Sequence, residues 1–67
     1  MRDFDRITLR SGLMSGKACI RGMRITVALV VNLVANRMTP ESIREEYPLL
    51  EPEDVRQALQ YAAVLDL

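Results

Sequence analysis

The sequence predicts a mainly α-helical fold, in which three helices follow a short β-arm or hairpin. Two helix starts share one proline-containing pattern, an almost wholly apolar stretch begins after a threonine, and a basic, glycine-containing segment precedes that stretch. With 67 residues the chain forms one domain, and a domain of this size buries only about 60% of the surface that its unfolded chain exposes. We therefore predict a single domain over 1–67, with a basic β-arm at 1–25 and a trihelical core at 26–67.

The amino-terminal part has the composition of a small hairpin. Residues 7–9 form a short segment with β-branched side chains, which favour strands. Two further segments, at 19–20 and 23–25, are suited to an extended conformation and flank a tight turn. At that turn Arg21 is followed by Gly22, which can supply the positive φ that the turn requires.

The first helix is predicted to begin after Thr26, whose hydroxyl can accept a backbone amide of the first turn. It runs from Val27 to about Arg37, with Asn32 and Asn36 as its only polar interior positions. Because a surface helix has a wider polar face, most sides of this helix must be covered. Either it is the central core helix of the monomer, or another chain covers it. We predict a homodimer whose interface contains Val27, Val30, Val31 and Val34.

The second and third helices open in the same way, twelve residues apart. Pro40 and Pro52 stand at the predicted first helical positions, where a missing backbone donor does no harm. Glu41 and Glu53 follow at the positive end of each helix dipole, and apolar residues around both starts have the spacing of a hydrophobic staple. The second helix is expected to end at Tyr47, and the third to continue to the terminus. The third helix presents a predicted buried face of Val55, Ala58, Leu59, Ala62 and Leu65.

Charges are segregated along a chain whose net charge is zero. Residues 1–38 hold seven basic and two acidic residues, a net charge of +5, and residues 39–67 hold two basic and seven acidic residues, a net charge of −5. Such asymmetry is one indication that the basic part contacts nucleic acid. The alternative is that the two halves neutralise each other across the fold.

Composition excludes two common ways of stabilising so short a chain. One cysteine cannot form a disulfide within the chain, and a sequence without histidine offers no cluster of soft metal ligands. Association with another chain is the remaining route. Residues 1–6 carry charge where a signal peptide would have its apolar run, and the apolar run 27–31 is far shorter than the roughly 20 residues that span a bilayer. We expect a soluble, cytoplasmic protein with no membrane contact.

The residues do not form a recognisable catalytic constellation, and we expect neither enzymatic activity nor a cofactor. Without histidine there is no imidazole base, and Cys19 lacks a partner that would activate its thiol, so we predict that it is a small buried residue. Gly16-Lys17 resembles part of a phosphate-binding loop. The match fails because Ser11 stands at the earlier glycine position and Ala18 replaces the magnesium-binding hydroxyl.

Several short motifs follow one another in a fixed order along nearly the whole chain. They are Phe4-Asp5-Arg6-Ile7-Thr8, Gly16-Lys17-Ala18-Cys19-Ile20-Arg21-Gly22-Met23-Arg24-Ile25, Met38-Thr39-Pro40-Glu41-Ser42-Ile43, Tyr47-Pro48-Leu49-Leu50-Glu51-Pro52-Glu53-Asp54-Val55 and Ala58-Leu59-Gln60-Tyr61-Ala62-Ala63. Together they resemble the DUF433 family. The chain departs from the family at Ala18, where members usually have proline, and at Leu67, where many members continue into a charged tail.

The resemblance implies a homeodomain-like, helix-turn-helix fold of three helices with an amino-terminal β element. It also implies the antitoxin half of a toxin-antitoxin pair, with a PIN-like nuclease toxin as partner. In a helix-turn-helix the third helix enters the major groove. Here that position offers Arg56, Gln57 and Gln60 as donors to bases.

Acidic residues at the start of the third helix oppose that docking, because duplex DNA carries one negative charge per about 1.7 Å. We therefore expect the basic arm to make the main contact with DNA. Arg21 and Arg24 are its leading ligands, and Arg6, Arg10 and Lys17 support them. The alternative is that the two leading arginines form salt bridges with helix glutamates such as Glu45 or Glu46.

Two functions follow from these expectations. The first is an antitoxin-like, DNA-binding regulator that dimerises and neutralises a PIN-like nuclease. The alternative is a protein-interaction module without a nucleic-acid role, whose acidic carboxy-terminal half docks onto a basic nuclease and blocks its substrate groove.

Overall fold

The computed structural model describes residues 4–10, 12 and 14–65, and shows a mainly helical chain with a small amino-terminal hairpin. Residues 1–3, where the predicted arm begins, and residues 66–67, where the predicted third helix ends, lie outside the described residues. So do Ser11 and Leu13. The elements are β1 (Ile7–Thr8), a 3-10 turn (Met14–Gly16), β2 (Cys19–Ile20), α1 (Val27–Ala35), α2 (Pro40–Glu46) and α3 (Pro52–Leu65). Over the described part of the chain, none of the helices is long and apolar enough to cross a membrane.

The hairpin pairs β1 with β2 in antiparallel register, with Ile7 opposite Ile20. The predicted tight turn is present after β2. Arg21 and Gly22 both have positive φ, at 46° and 73°, and the amide of Met23 donates to the carbonyl of Ile20 at 2.8 Å. Two positive φ angles in sequence are the geometry of a type I′ turn, which is the turn that matches strand twist. Beyond it, the predicted partner segment 23–25 adds a hydrogen bond from the Ile20 amide to the Ile25 carbonyl at 2.9 Å.

Side-chain caps begin α1 and α2. The hydroxyl of Thr26 accepts from the amide of Leu29 at 3.0 Å, which confirms the predicted cap, and Thr39 accepts from the amide of Ser42 at 3.1 Å. Both bonds satisfy a first-turn amide that has no partner within its helix.

The first helix ends two residues earlier than predicted, because the chain turns into the left-handed region at Arg37, where φ is 65°. The amide of Arg37 donates to the carbonyl of Val34 at 2.9 Å, and the amide of Met38 donates to the carbonyl of Leu33 at 3.2 Å. These two bonds form a Schellman motif, with arginine at the position that glycine usually takes.

The core lies where α1 packs on α3, and the hairpin contributes to it. Cys19 is fully buried, as predicted. Two of the four valines predicted at a dimer interface, Val27 and Val30, are buried within the single chain, whereas Val31 and Val34 are partly exposed. The chain's own core therefore covers half of that apolar set. Its buried cluster consists of Ile20, Val27, Val30, Ile43, Leu50 and Ala58.

The predicted buried face of α3 is wrong in part. Ala58 is buried, but Leu59 and Leu65 are 37% and 67% exposed. Asp54 and Gln57 are buried in their place, at 0% and 5% exposure. The helix is oriented in this way because both polar side chains hydrogen-bond to groups near the hairpin, as described below.

Candidate functional site

Asp54 is the centre of a buried polar network at the amino end of α3. It stands at the third position of the helix, where its side chain can reach back to the residue that precedes Pro52. Its Oδ2 accepts from the amide of Glu51 at 2.8 Å. This bond is one half of a capping box and explains the local geometry from the sequence Glu51-Pro52-Glu53-Asp54.

Two arginines from the hairpin region complete the surroundings of Asp54. Arg21 binds it in a bidentate manner, from Nε to Oδ1 at 3.1 Å and from Nη2 to Oδ2 at 2.8 Å. Arg6 donates from Nη1 to Oδ1 at 3.0 Å and to Glu51 Oε1 at 2.6 Å. Arg21 Nη2 also donates to the carbonyl of Leu49 at 2.6 Å. Arg21, a predicted leading ligand of the arm, and Arg6, a predicted supporting one, therefore both donate to acceptors inside the chain.

The network keeps its charges. Burial alone would raise the pKa of Asp54, but hydrogen bonds from Arg21, the Glu51 amide and Arg6 outweigh it and hold that pKa below its usual value. The bonds to Glu51 and Asp54 raise the pKa of Arg6, and the bond to Asp54 raises the pKa of Arg21. At neutral pH the carboxylate of Asp54 is therefore ionised and cannot act as a proton donor.

Gln57 extends the network towards the amino terminus. Its Oε1 accepts from the amide of Arg6 at 3.0 Å, and its Nε2 donates to Asp5 Oδ1 at 2.7 Å and to Glu53 Oε2 at 3.0 Å. The segment before β1 also packs on α3 through the rings of Phe4 and Tyr61, whose centroids are 5.3 Å apart in a T-shaped arrangement. The structure thus places Gln57 inside the fold, with both ends of its amide engaged.

Arg56 and Gln60, the other two residues predicted to face DNA from the third helix, lie on its outer side. Arg56 donates to Glu53 from Nε to Oε1 at 2.8 Å and from Nη2 to Oε2, and its Nη1 donates to Gln60 Oε1 at 2.9 Å. Hydrogen bonds from Arg56 and then Gln57 lower the pKa of Glu53 from 4.5 to about 2. This exposed cluster is neutral because the carboxylate cancels the guanidinium.

The remaining predicted nucleic-acid ligands, Arg10, Lys17 and Arg24, are exposed. Arg21 pairs with Asp54, whereas the sequence had suggested Glu45 or Glu46 as its salt-bridge partner. Sequence reasoning missed Asp54 as the centre of the site. The capping-box spacing before it was a signal for its backbone contact, but no local pattern connects it with arginines 33 and 48 residues away.

An open groove lies between α2 and α3, and Glu51 of the network is among its lining residues. We call it the α2–α3 groove. Apart from the two prolines that begin these helices, its apolar lining consists of Val34, Met38, Ile43, Leu50, Val55 and Leu59. Three charged residues, Glu41, Arg44 and Glu51, also line it.

A second groove, which we call the α1–α3 groove, lies where the partly exposed side of α1 meets α3. It is lined by Val31, Tyr61 and Leu65 among others, and Lys17 is its one charged lining residue in the described part of the chain. Across the residues that the structure describes, no group of three or more histidine, cysteine or acidic residues could hold a metal ion.

Comparison with known proteins matches the chain to a family model. No curated protein and no solved structure matches the chain. The model of DUF433, which is described as a protein of unknown function, matches residues 7–62 and so includes both strands, α1, α2 and most of α3. The resemblance seen in the motifs is thereby confirmed, and the chain belongs to the DUF433 family.

Proposed function

We propose that this chain is an antitoxin-like protein-interaction module that docks onto a basic partner nuclease of the PIN-like class. The observation that carries the proposal is the pairing of Arg6 and Arg21 with Asp54. These contacts neutralise part of the basic arm within the molecule, which was the alternative explanation of the segregated charges. The arm therefore has less positive charge available to bind a phosphate backbone than its sequence suggests.

The carboxy-terminal part keeps exposed carboxylates that can face a partner. Glu41, Glu45 and Glu46 are exposed on α2, and the single basic residue of that helix is Arg44. An acidic surface of this kind attracts a basic partner and speeds its association. A nuclease that binds RNA presents a basic groove, so such a surface can occupy the place of the substrate.

Co-expression tests the proposal. The chain is co-expressed with the products of its two adjacent genes, each complex is purified, and ribonuclease activity is measured with and without this protein. We expect one neighbour to co-purify and its cleavage of RNA to fall. A triple variant of Glu41, Glu45 and Glu46 to glutamine should weaken the inhibition, and failure of both neighbours to bind would contradict the proposal.

DNA binding is a second candidate, favoured by the order of α2 and α3. These helices are joined by residues 47–51, and α3 carries the exposed Arg56 and the half-buried Gln60. We propose for this candidate a homeodomain-like docking in which α3 faces the major groove, with the exposed residues of the arm on phosphates. The neutral Arg56–Glu53 pair limits its strength, because Glu53 would have to give up its partner.

A salt series separates this candidate from the first. Binding of the chain to a mixed-sequence duplex is measured by fluorescence anisotropy, together with variants Lys17→Ala and Arg56→Ala. If α3 and the arm contact DNA, both variants lower the affinity, and Lys17→Ala reduces the salt slope by about 1. The control Arg44→Ala, on α2, should change neither. An affinity that is immeasurable at low salt removes this candidate.

A homodimer remains part of both proposals. The support for it is the partial exposure of Val31 and Val34, which border the two grooves on either side of α1. Sedimentation equilibrium on the pure chain tests it, with Val31→Ser expected to shift a dimer towards monomer. A monomer at all concentrations would leave both grooves open to other partners.

A further inference from the structure

The α1–α3 groove combines a mostly apolar lining with a single charged residue. Val31, Tyr61 and Ala62 are half-buried along it, and Leu65 of α3 is 67% exposed. The groove encloses about 530 Å³, which lies within the range of roughly 300–1,000 Å³ that small-molecule sites occupy. Its size and its lining therefore suit a small apolar ligand.

Lys17 is the charged group of this lining that is available to a ligand. Two uncharged polar lining residues already have partners within α1. The hydroxyl of Thr26 accepts from the amide of Leu29 at 3.0 Å, and Asn32 Nδ2 donates to the carbonyl of Ala28 at 3.1 Å. Lys17 differs, because it is exposed and forms no ion pair with any residue that the structure describes.

The backbone of Lys17 is held beside the groove. The amide of Val27, at the start of α1, donates to the carbonyl of Ala18 at 2.9 Å, and the thiol of Cys19 donates to the carbonyl of Lys17 at 3.3 Å. A cation on a backbone that is already fixed loses less conformational entropy when it pairs with an anion than one on a free segment does.

The charge of the lining determines the charge of the ligand. One ammonium group neutralises one anionic group, and a polyanion such as a nucleic acid would place its further charges against apolar side chains, which is unfavourable. In the α2–α3 groove the charges balance instead, because Arg6 pairs with Glu51 and Arg44 offsets Glu41. Of the two grooves, the α1–α3 groove is therefore the one that favours a ligand with a single negative charge.

We propose that the α1–α3 groove binds a small monoanion with an apolar body, of the class of medium-chain carboxylates. The carboxylate of the ligand pairs with Lys17, and its hydrocarbon chain packs against Val31, Tyr61 and Leu65. The inference goes beyond the proposed function, because it concerns a small molecule and a surface other than the acidic face of α2. Its outcome is therefore independent of any nuclease partner.

Three probes with the same hydrocarbon chain and different head groups test the proposal. Decanoate, decanol and decylammonium are each titrated into the full chain below the concentrations at which they form micelles, and binding is followed by the NMR shifts of backbone amides. We expect decanoate to bind about fivefold more tightly than decanol, and decylammonium to bind about fivefold more weakly than decanol. Octanoate should bind about tenfold more weakly than decanoate, because it buries two fewer methylene groups.

Matched variants locate the binding surface. Lys17→Met should lower the affinity for decanoate about fivefold and leave that for decanol unchanged, because it removes the charge and keeps an apolar stem. Arg44→Met, on α2, should change neither affinity. Leu65→Gln should weaken both probes about threefold, whereas Leu59→Gln, in the α2–α3 groove, should weaken neither. Circular dichroism verifies that each variant is folded.

Other outcomes overturn the inference. They are equal binding of the three probes, no binding of any of them, and an equal effect of Leu59→Gln and Leu65→Gln. Asp66 follows Leu65 in the sequence and lies outside the described residues. Asp66→Asn should leave decanoate binding unchanged, and a fivefold gain would show that Lys17 already has a partner. A homodimer that Val31→Ser dissociates, with decanoate bound by the monomer alone, would show that a second copy occupies the groove.

Discussion

The two sides of α3 differ in a way that residue polarity alone would not suggest. On the side of the hairpin, Asp54 and Gln57 are almost completely buried. Towards the two grooves, Leu59 and Leu65 remain exposed. Burial on this helix follows the supply of hydrogen-bond partners, because a polar group whose bonds are all satisfied can be buried at little cost.

The buried side illustrates how a charged group is accommodated in so small a core. Asp54 receives bonds from two guanidinium groups and one backbone amide, so its loss of hydration is offset by several charge-assisted contacts. The same contacts hold Arg21 in a left-handed backbone conformation that costs an ordinary residue roughly 1 kcal/mol. The ion pairs on the polar side of α3 therefore stabilise the packing of the hairpin against the helices.

The side of α3 that faces the grooves contributes less to the stability of the fold than the side with Asp54. Leu59 keeps 37% of its surface in contact with water, so it gains less from folding than a fully buried leucine does. Contiguous exposed apolar side chains often mark surfaces of association. The comparison therefore predicts that substitutions on the polar side affect folding, whereas substitutions on the apolar side affect association.

Asp54→Ala tests the polar side and should have the largest effect. Removal of one partner of a buried ion pair leaves the two arginines and the Glu51 amide without their acceptor, which we expect to cost about 3 kcal/mol in the free energy of unfolding. Urea denaturation followed by circular dichroism measures it. Glu46→Ala, on the exposed side of α2, is the control and should change stability by less than about 0.5 kcal/mol. Similar effects of the two substitutions would contradict the structural role of Asp54.

Lowering the pH protonates carboxylates near the start of α3. We expect this to reduce the free energy of unfolding by less than Asp54→Ala does. The folded-state pKa values of Asp54 and Glu53 lie below their usual values, and that of Glu53 falls from 4.5 to about 2. The folded state thus favours the carboxylates, so their stabilisation is complete above pH 4.5 and is lost as the pH falls towards 2.

Urea denaturation at a series of pH values measures this loss. Glu53→Gln should make the fall in the free energy of unfolding shallower between pH 4.5 and about 2, because it removes one of the two groups. Curves of the same slope for the variant and the unmodified chain would argue against the Glu53 contacts with Arg56 and Gln57.

Gln57→Ala tests the outer part of the polar side. The substitution leaves the amide of Arg6 and the carboxylate of Asp5 without their partner, and we expect a loss of about 1.5 kcal/mol in the free energy of unfolding. Thermal denaturation can measure it. Gln60→Ala, three residues farther along α3, should cost less than about 0.5 kcal/mol. A larger loss for Gln60 than for Gln57 would reverse the assignment of the two faces.

Leu59→Gln tests the apolar side and should have the smallest effect on folding. We expect the free energy of unfolding to fall by only about 1 kcal/mol, because 37% of the surface of Leu59 is already hydrated in the folded state. Denaturation in urea measures the change, and Ile43→Ala, in the floor of the same groove, provides the contrast with an expected loss of about 3 kcal/mol. Comparable losses would mean that Leu59 belongs to the core.

Local signals in the sequence predicted the element starts correctly. The cap at Thr26 and the prolines at the first positions of α2 and α3 act within one helical turn, so residues close in sequence are sufficient to specify them. The turn at Arg21 and Gly22 is local in the same sense. The end of α1 was missed because a left-handed arginine is not a standard stop signal.

The buried face of α3 could not be predicted from its periodicity. Apolar spacing favoured Leu59 and Leu65, whereas the position of the hairpin turned Asp54 and Gln57 inwards. That orientation depends on pairs such as Arg21 with Asp54, which are 33 residues apart. The sequence offered an ion pair with α2 glutamates such as Glu45 or Glu46 only as the alternative to DNA contact, and no local pattern pointed to Asp54.

The amino-acid sequence by itself determined where the helices begin, where the hairpin turns and that Cys19 is buried, because each depends on backbone donors, φ preferences or side-chain size close to one position. Only the tertiary structure decided that arm arginines serve the fold, and that α3 turns its polar residues inwards and leucines outwards. Both outcomes depend on ion pairs between residues far apart in sequence. Burial of a charged side chain is unfavourable unless hydrogen bonds and opposite charges replace its hydration.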